Sequence, residues 1–284
     1  MLEKNVETFI GCDAEYEDAD IVMFGAPFDS TTSYRPGTRF GSRAIRSESY
    51  GLETYSPYQD KDLEDMQVFD SGDLELCMGS SQMALDQISE RTAVILEDGK
   101  LPFMIGGEHL VTLGAFREVL KKYPEVCIVH FDAHADLRQE YLGVELSHAC
   151  VLRRCHDLVG DGRIFQFGIR SGERSEFYWA KEGHIRMQKF DFGGLAEVVK
   201  ELGDRPVYFT IDLDVLDPSI FPGTGTPEAG GVGFLDLIGA IQTVCNGCRI
   251  VGCDVNELSP FYDQSGVSTA VACKVVRELL LGLK

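Results

Sequence analysis

Three stretches of this 284-residue chain end an apolar run on groups able to bind cations. Val126–Asp132 runs into Asp132-Ala-His134-Ala-Asp136, and Val207–Asp212 runs into Asp212-Leu-Asp214. A third run, ending at Gly106, passes through Gly107-Glu108 into His109. In extended chain the side chains at i, i+2 and i+4 project on one face. Asp132, His134 and Asp136 are therefore expected to converge, and so are Asp212 and Asp214. His109 would join them from a loop-to-helix junction, where two glycines allow the backbone to approach closely. Asp132, Asp136, Asp212 and Asp214 packed together without a lysine or arginine would raise one another's pKa or force the site apart. A bound cation removes that conflict, and two remove it better. Carboxylates with a little imidazole and no thiolate favour manganese over zinc or calcium. Six such ligands can hold two ions if one carboxylate from each strand bridges them. A water shared by two ions ionises near neutral pH, which is hydrolytic chemistry.

The elements that must position these groups alternate along the chain. Strands are expected at Ile21–Pro27, Gln67–Asp70, Pro102–Gly106, Val126–Asp132, Arg163–Gly168, Ile185–Gln188, Val207–Asp212 and Ile250–Asp254. Helical patterns lie near Ser80–Asp98, Leu110–Lys122, His148–His156, Glu173–Lys181, Leu195–Leu202, Phe234–Cys245 and Val267–Leu283. Runs such as CIVHFD and PVYFTID are apolar nearly throughout, as suits central strands covered on both faces. This pattern predicts an α/β protein with a mostly parallel sheet of about eight strands between helices, in a single domain over residues 1–284. Several β-to-α connections are long and polar, which favours an open sheet over a closed barrel. In either case ligands collect beyond the carboxyl ends of the strands.

Composition narrows the partners. With 26 basic and 46 acidic residues the net charge is −20, which repels nucleic acid and attracts a cationic small molecule. No apolar stretch approaches the roughly 20 residues needed to cross a bilayer. The N-terminus carries no signal-peptide pattern, and nine scattered cysteines, several inside apolar runs, suit a reducing cytoplasm.

The motifs resemble those of the ureohydrolase family, which includes arginase and agmatinase. The matching stretches are Gly106-Gly-Glu-His109, Asp132-Ala-His-Ala-Asp136, Asp212-Leu-Asp-Val-Leu-Asp-Pro218, Gly223-Thr-Gly-Thr-Pro-Glu228 and Asp254-Val-Asn-Glu257. The resemblance covers nearly the whole chain. It implies a three-layer αβα sandwich around an eight-stranded parallel sheet, and two manganese ions per subunit. One ion would take His109, Asp132, Asp136 and Asp212; the other would take Asp132, His134, Asp212 and Asp214. A hydroxide bridging them would attack the guanidinium carbon to give a tetrahedral intermediate, with Asp136 passing a proton to the leaving amine. Glu257 matches the residue that binds the guanidinium, and a carboxylate suits that planar cation because two N–H donors can meet two oxygens. His148 matches the proton-shuttle histidine, whose imidazole titrates near neutral pH. The family commonly forms homo-oligomers, trimers or hexamers.

The substrate is less tightly specified. The loop after the Asp-x-His-x-Asp motif reads Leu137-Arg-Gln-Glu-Tyr-Leu-Gly143 and lacks the asparagine that holds the α-carboxylate in arginase. Asp29–Arg39 and Gly223–Glu228 look like the agmatinase branch. Agmatine, with a cation at each end, is the expected substrate. Arg138 reads first as an ordinary exposed loop residue, with recognition of the carboxylate of guanidinobutyrate or a related acid as the alternative. Glu228 is balanced between facing the amine end of agmatine and ordering its own loop. Arg35, Arg39, Arg43 and Arg46 are read as a subunit or domain contact, and His156 and His184 as surface or structural residues. Two rival classes are a different hydrolase on this scaffold, such as a deacetylase or a formiminoglutamate hydrolase, and a non-catalytic metal-binding protein.

Overall fold

The computed structural model describes residues 7–283. In chain order the elements are β1 (Ile21–Ala26), α1 (Gly41–Ser49), β2 (Tyr55–Ser56), β3 (Lys61–Asp62), β4 (Val68–Asp73), α2 (Ser81–Glu97), β5 (Leu101–Gly106), α3 (Thr112–Lys122) and β6 (Cys127–Phe131). They continue with α4 (Val151–Val159), β7 (Ile164–Ile169), α5 (Arg174–Lys181), β8 (Arg186–Lys189), α6 (Leu195–Leu202), β9 (Pro206–Asp212), α7 (Phe234–Gly247), β10 (Arg249–Asn256) and α8 (Val267–Gly282). All eight strands expected from the apolar runs are present. The two-stranded ribbon β2–β3 and helix α1 are additions, and α4 starts late because His148–Cys150 forms a 3₁₀ turn.

Eight strands form one open sheet in the order β4-β1-β5-β10-β9-β6-β7-β8. Every pairing in it is parallel, so the expected mostly parallel sheet is wholly so. Alternate residues serve two cores. Met23, Phe103, Val129, Phe209 and Val255 pack with α1, α6, α7 and α8 on one face. Phe24, Met104, Ile128 and Tyr208 pack with α2, α3 and α4 on the other. Both faces are covered, which is why the central strands read as continuous apolar runs. No helix among the described residues is long and apolar enough to cross a membrane.

The chain lays down β1, β4 and β5 on one side, crosses to build β6, β7 and β8, and returns to fill the gap with β9 and β10. The four central strands are therefore β5, β10, β9 and β6, and the direction of winding changes among them. A crevice opens beyond strand ends at such a switch point.

Arg46 on α1 corrects the reading of the arginine cluster as a surface contact. Its guanidinium is buried and meets Asp70 of β4 twice, at 2.8 and 2.9 Å, and also Asp73. Asp70 also accepts the Phe9 backbone N–H at 2.9 Å. This ion pair fastens α1 and the N-terminal segment to the edge strand. Arg39 pairs with Asp29 in the loop after β1.

The Asp217-Pro218 turn after β9 shapes its loop. Asp217 accepts backbone N–H groups from Ser219, Gly230 and Gly231 at 3.0, 2.9 and 3.0 Å. Hydrogen bonds from Ser219, with those from the glycines, lower its pKa to about 2.

Two outcomes follow from these ties. Arg46→Ala strands two carboxylates and should destabilise the protein by about 3–5 kcal/mol, read from denaturant midpoints; a loss under about 1 kcal/mol would contradict a buried pair. A carboxyl with a depressed folded pKa stabilises above its ordinary value of 3.8 and loses that contribution as pH falls through about 2. The stability gap between wild type and Asp217→Asn should therefore be full at pH 6 and close between about pH 4 and pH 2.

Candidate metal centre

Beyond β5, β9 and β6 the structure gathers all six residues expected to bind metal. His109 Nδ1 lies 3.0 Å from Asp132 Oδ2, 3.3 Å from Asp136 Oδ2 and 3.4 Å from Asp212 Oδ2. His134 Nδ1 lies 2.9 Å from Asp214 Oδ2 and 3.5 Å from Asp132 Oδ1. Asp132 thus stands between the two, with Oδ2 toward His109 and Oδ1 toward His134. Asp132, Asp136, Asp212 and Asp214 are all buried.

The backbone that achieves this is not the extended chain the spacing suggested. Beyond Asp132 the strand has ended, and Asp136 adopts a left-handed φ of 54°. Leu213–Val215 is a 3₁₀ turn, with Asp212 Oδ1 accepting the Asp214 N–H at 2.8 Å. Tight turns, rather than strand periodicity, bring these residues together. Each turn also supplies amide donors: His134 N–H reaches Asp132 at 2.5 Å and Ala133 N–H reaches Asp214 at 3.1 Å.

Hydrogen bonding determines which nitrogen of His109 faces the carboxylates with a lone pair. Thr210 Oγ1 donates its one hydrogen to Asp254 Oδ1 at 2.5 Å. Its oxygen, 2.8 Å from His109 Nε2, must then accept from that nitrogen. In neutral His109 this leaves the Nδ1 lone pair aimed at three carboxylate oxygens, which is repulsive unless a positive charge lies between them. Protons can take that place at a cost. Despite burial, the three carboxylates raise His109 well above its usual range. Burial and Asp132 push Asp136 up to about 7, and burial with Asp214 and Asp132 raises Asp212. A donor set of this kind fits divalent cations.

Asp132 is held ionised from behind. Although buried, its pKa is kept well below the carboxylate range, by His130 and then His109 and His134. His130 Nε2 lies 2.8 Å from Asp132 Oδ2, and its Nδ1 accepts from Gln166 Nε2 at 3.0 Å. Burial keeps His130 neutral by lowering its pKa. Asp254 in turn accepts from Tyr208 Oη at 2.5 Å and from Asn256 Nδ2 at 2.7 Å. Sequence reasoning singled out none of His130, Thr210 or Asn256, and quoted Asp254 without a role. The signal was present, since each stands two residues from another polar group within an otherwise apolar strand.

His109, His134, Asp136, Asp212, His148 and Glu257 share one cavity of about 230 Å³. Glu257, buried at a left-handed φ of 69°, accepts the His109 backbone N–H at 2.7 Å. His148 is held by Thr31, whose Oγ1 accepts the His148 N–H at 3.0 Å and donates to Glu108 at 2.6 Å. Burial, with His134 nearby, lowers the His148 pKa to about 4. Glu108 is itself buried, and that burial pushes its carboxyl up to about 7.

The two residues left open by the sequence are also placed. Arg138 lines the cavity but donates to Glu173 at 2.8 Å, lies 4.0 Å from Glu176 and stacks 4.5 Å over Tyr141. Glu228 accepts from Ser171 at 2.8 Å and comes within 3.9 Å of His134 Nε2. The Ser171 hydrogen bond ties its carboxylate to the loop after β7, beside the cluster.

Comparison with known proteins agrees with this geometry. The Arginase family model matches residues 19–282. The agmatinase of Bacillus anthracis is 47% identical over 278 residues, spanning 97% of this chain and 96% of that protein. The guanidinobutyrase of Pseudomonas aeruginosa is 34% identical over 279 residues, 94% of this chain and 87% of the other. A crystal structure from Clostridium difficile superimposes with a TM-score of 0.93 at 52% identity, covering 95% of this chain and 98% of that one. The αβα sandwich, the cluster of imidazoles and carboxylates at its switch point and these matches converge: the chain belongs to the arginase family and is a metal-dependent hydrolase of guanidino groups.

Proposed function

We propose that the chain hydrolyses agmatine to putrescine and urea with two manganese ions. The observation that carries this reading is the cavity in which Glu257 sits with His109, His134, Asp136 and Asp212 while Arg138, the one arginine on its wall, is neutralised by Glu173 and Glu176. A wall of that kind suits a substrate that is cationic at both ends. The agmatinases among the relatives support the same choice.

His109, Asp132, Asp136 and Asp212 would hold one ion, and Asp132, His134, Asp212 and Asp214 the other. Held there, two divalent ions would supply a water acidified enough to ionise near neutral pH. Glu257 binds the guanidinium through its carboxylate and orients the central carbon. Asp136 takes a proton from the attacking water and returns it to the departing amine. His148, which burial holds neutral at pH 7 with a pKa of about 4 rather than the near-neutral value expected of it, takes up a proton only in passing it between the cavity and solvent. His130, Thr210 and Asp254 position Asp132 and His109 by hydrogen bonds, as outer partners of metal ligands do. Glu228 stays beside His134, where it can meet the far end of the substrate. A single domain, assembly into trimers or hexamers and residence in the cytoplasm belong to the same reading.

Guanidinobutyrate is the second reading, favoured by Arg138 on the cavity wall and by the guanidinobutyrase relative. Urea release by manganese-loaded protein from agmatine, arginine and 4-guanidinobutyrate separates the two. Agmatine is expected to exceed the others in kcat/KM by about 100-fold, or about 2.7 kcal/mol of transition-state binding. Preference for 4-guanidinobutyrate would reassign Arg138 to a carboxylate. No urea from any of them, with two ions counted, would sink the reaction. His130→Phe removes the donor behind Asp132 and should weaken metal binding about 10–100-fold by equilibrium dialysis; unchanged affinity would remove His130 from the centre.

A further inference from the structure

A second group of imidazoles lies outside the central cavity and plays no part in the chemistry above. His156 on α4, Asp161 in the turn from α4 to β7, and His184 in the turn from α5 to β8 meet at a single oxygen. His156 Nε2 and His184 Nδ1 each lie 2.8 Å from Asp161 Oδ1. The three donor atoms all fall within 4.8 Å of one another. None of the three residues lines the central cavity.

Several features orient these rings before any ligand arrives. Trp179 of α5 stacks on His184 with centroids 4.6 Å apart and planes 14° from parallel. It also meets His156 edge-on at 4.5 Å and 80°. Gly162 N–H donates to the His184 carbonyl at 3.2 Å, joining the two turns. The other ring nitrogen of His184 points toward a carboxylate, with Nε2 3.8 Å from Glu182 Oε2. At that distance the carboxylate is no hydrogen-bond partner, but its negative charge favours a cation on the histidine side of the cluster.

We propose that His156, Asp161 and His184 form a second cation site, for a divalent transition metal of the zinc class, which ties α4 to the α5–β8 turn. Two imidazoles and one carboxylate suit zinc, while the carboxylate-rich central site suits harder ions. Tetrahedral coordination at about 2.0–2.2 Å separates donors by about 3.3–3.5 Å, so each 2.8 Å contact opens by about half an ångström. Asp161 sits in an exposed turn between Gly160 and Gly162, both at φ 76°, and has room to make that shift. The half-exposed face leaves a fourth position for water. On binding, each ring nitrogen facing Asp161 presents its lone pair to the ion. Its proton moves to the opposite ring nitrogen or to solvent, and on His184 that opposite nitrogen faces Glu182.

Trp179 is the chain's one tryptophan, so its fluorescence reports on this site alone. The test uses manganese-loaded full-length protein dialysed against micromolar zinc, with both metals counted per chain. Wild type is expected to hold one zinc more than His184→Gln or Asp161→Asn, and to show a zinc-dependent fluorescence change with the same midpoint. Both variants should lose that change. Zinc exchanging into the central site would appear in all three proteins alike and cancel from the difference. Equal zinc in wild type and both variants, or a fluorescence change that persists in them, would overturn the site and leave a hydrogen-bonded cluster.

Discussion

Carboxylates brought together out of water repel one another, and the centre of this molecule is organised around that repulsion. Among the described residues, the ion pairs of Asp132, Asp136, Asp212 and Asp214 are all with histidines. Imidazoles titrate, so they relieve the repulsion only by taking up protons. Elsewhere the chain uses permanent cations for the same task, as Arg46 does for Asp70. The absence of such a partner at the switch point leaves a deficit of positive charge that divalent ions can fill. His130 and the amides of the tight turns stabilise the ionised oxygens, and Thr210 orients His109, without supplying the missing charge.

That arrangement requires exact placement, and the sheet supplies it. The six candidate ligands come from the ends of three of the four central strands, and Glu257 comes from the fourth. Register carries this inward: Asp254 of β10 lies level with Thr210 of β9, and Asn256 level with Asp212. A polar layer therefore continues from the cluster down one face of the sheet before the apolar core begins. Close packing on both faces limits the freedom of each strand end, which suits a site sensitive to displacements of about an ångström.

Much of this was legible because two physical signals coincided. Long apolar runs identified the central strands, and aspartates ending those runs were too costly to be ordinary core residues. The order of the six metal-binding candidates, with Glu257 and His148, followed from the family motifs. What could not be seen had the look of core. His130 and Thr210 each occur once within an apolar run and read as tolerated polar residues. Their role depends on which neighbour they face across the sheet, and one strand does not contain that information. Arg46 misled for the opposite reason: an arginine-rich segment suggests a surface, and its buried partners lie on β4, more than twenty residues away. Asp136 shows a third limit, because a left-handed turn brought it to the place that extended geometry had promised.

The return of the chain to fill the middle of the sheet also governs the order of assembly. As synthesis proceeds, β1, β4 and β5 are complete by Gly106, and β6, β7 and β8 by Lys189. Their natural neighbours β10 and β9 emerge only afterwards, over Pro206–Asn256. Until then β5 and β6 each present an unpaired, apolar edge, the kind of surface on which chains aggregate. β9 pairs with β6 and brings Asp212 and Asp214 to the residues beyond β5 and β6, and β10 joins β9 to β5 and closes the remaining edge. Completion of the sheet and of the site both depend on the last third of the chain, so damage there exposes the edges of the first two.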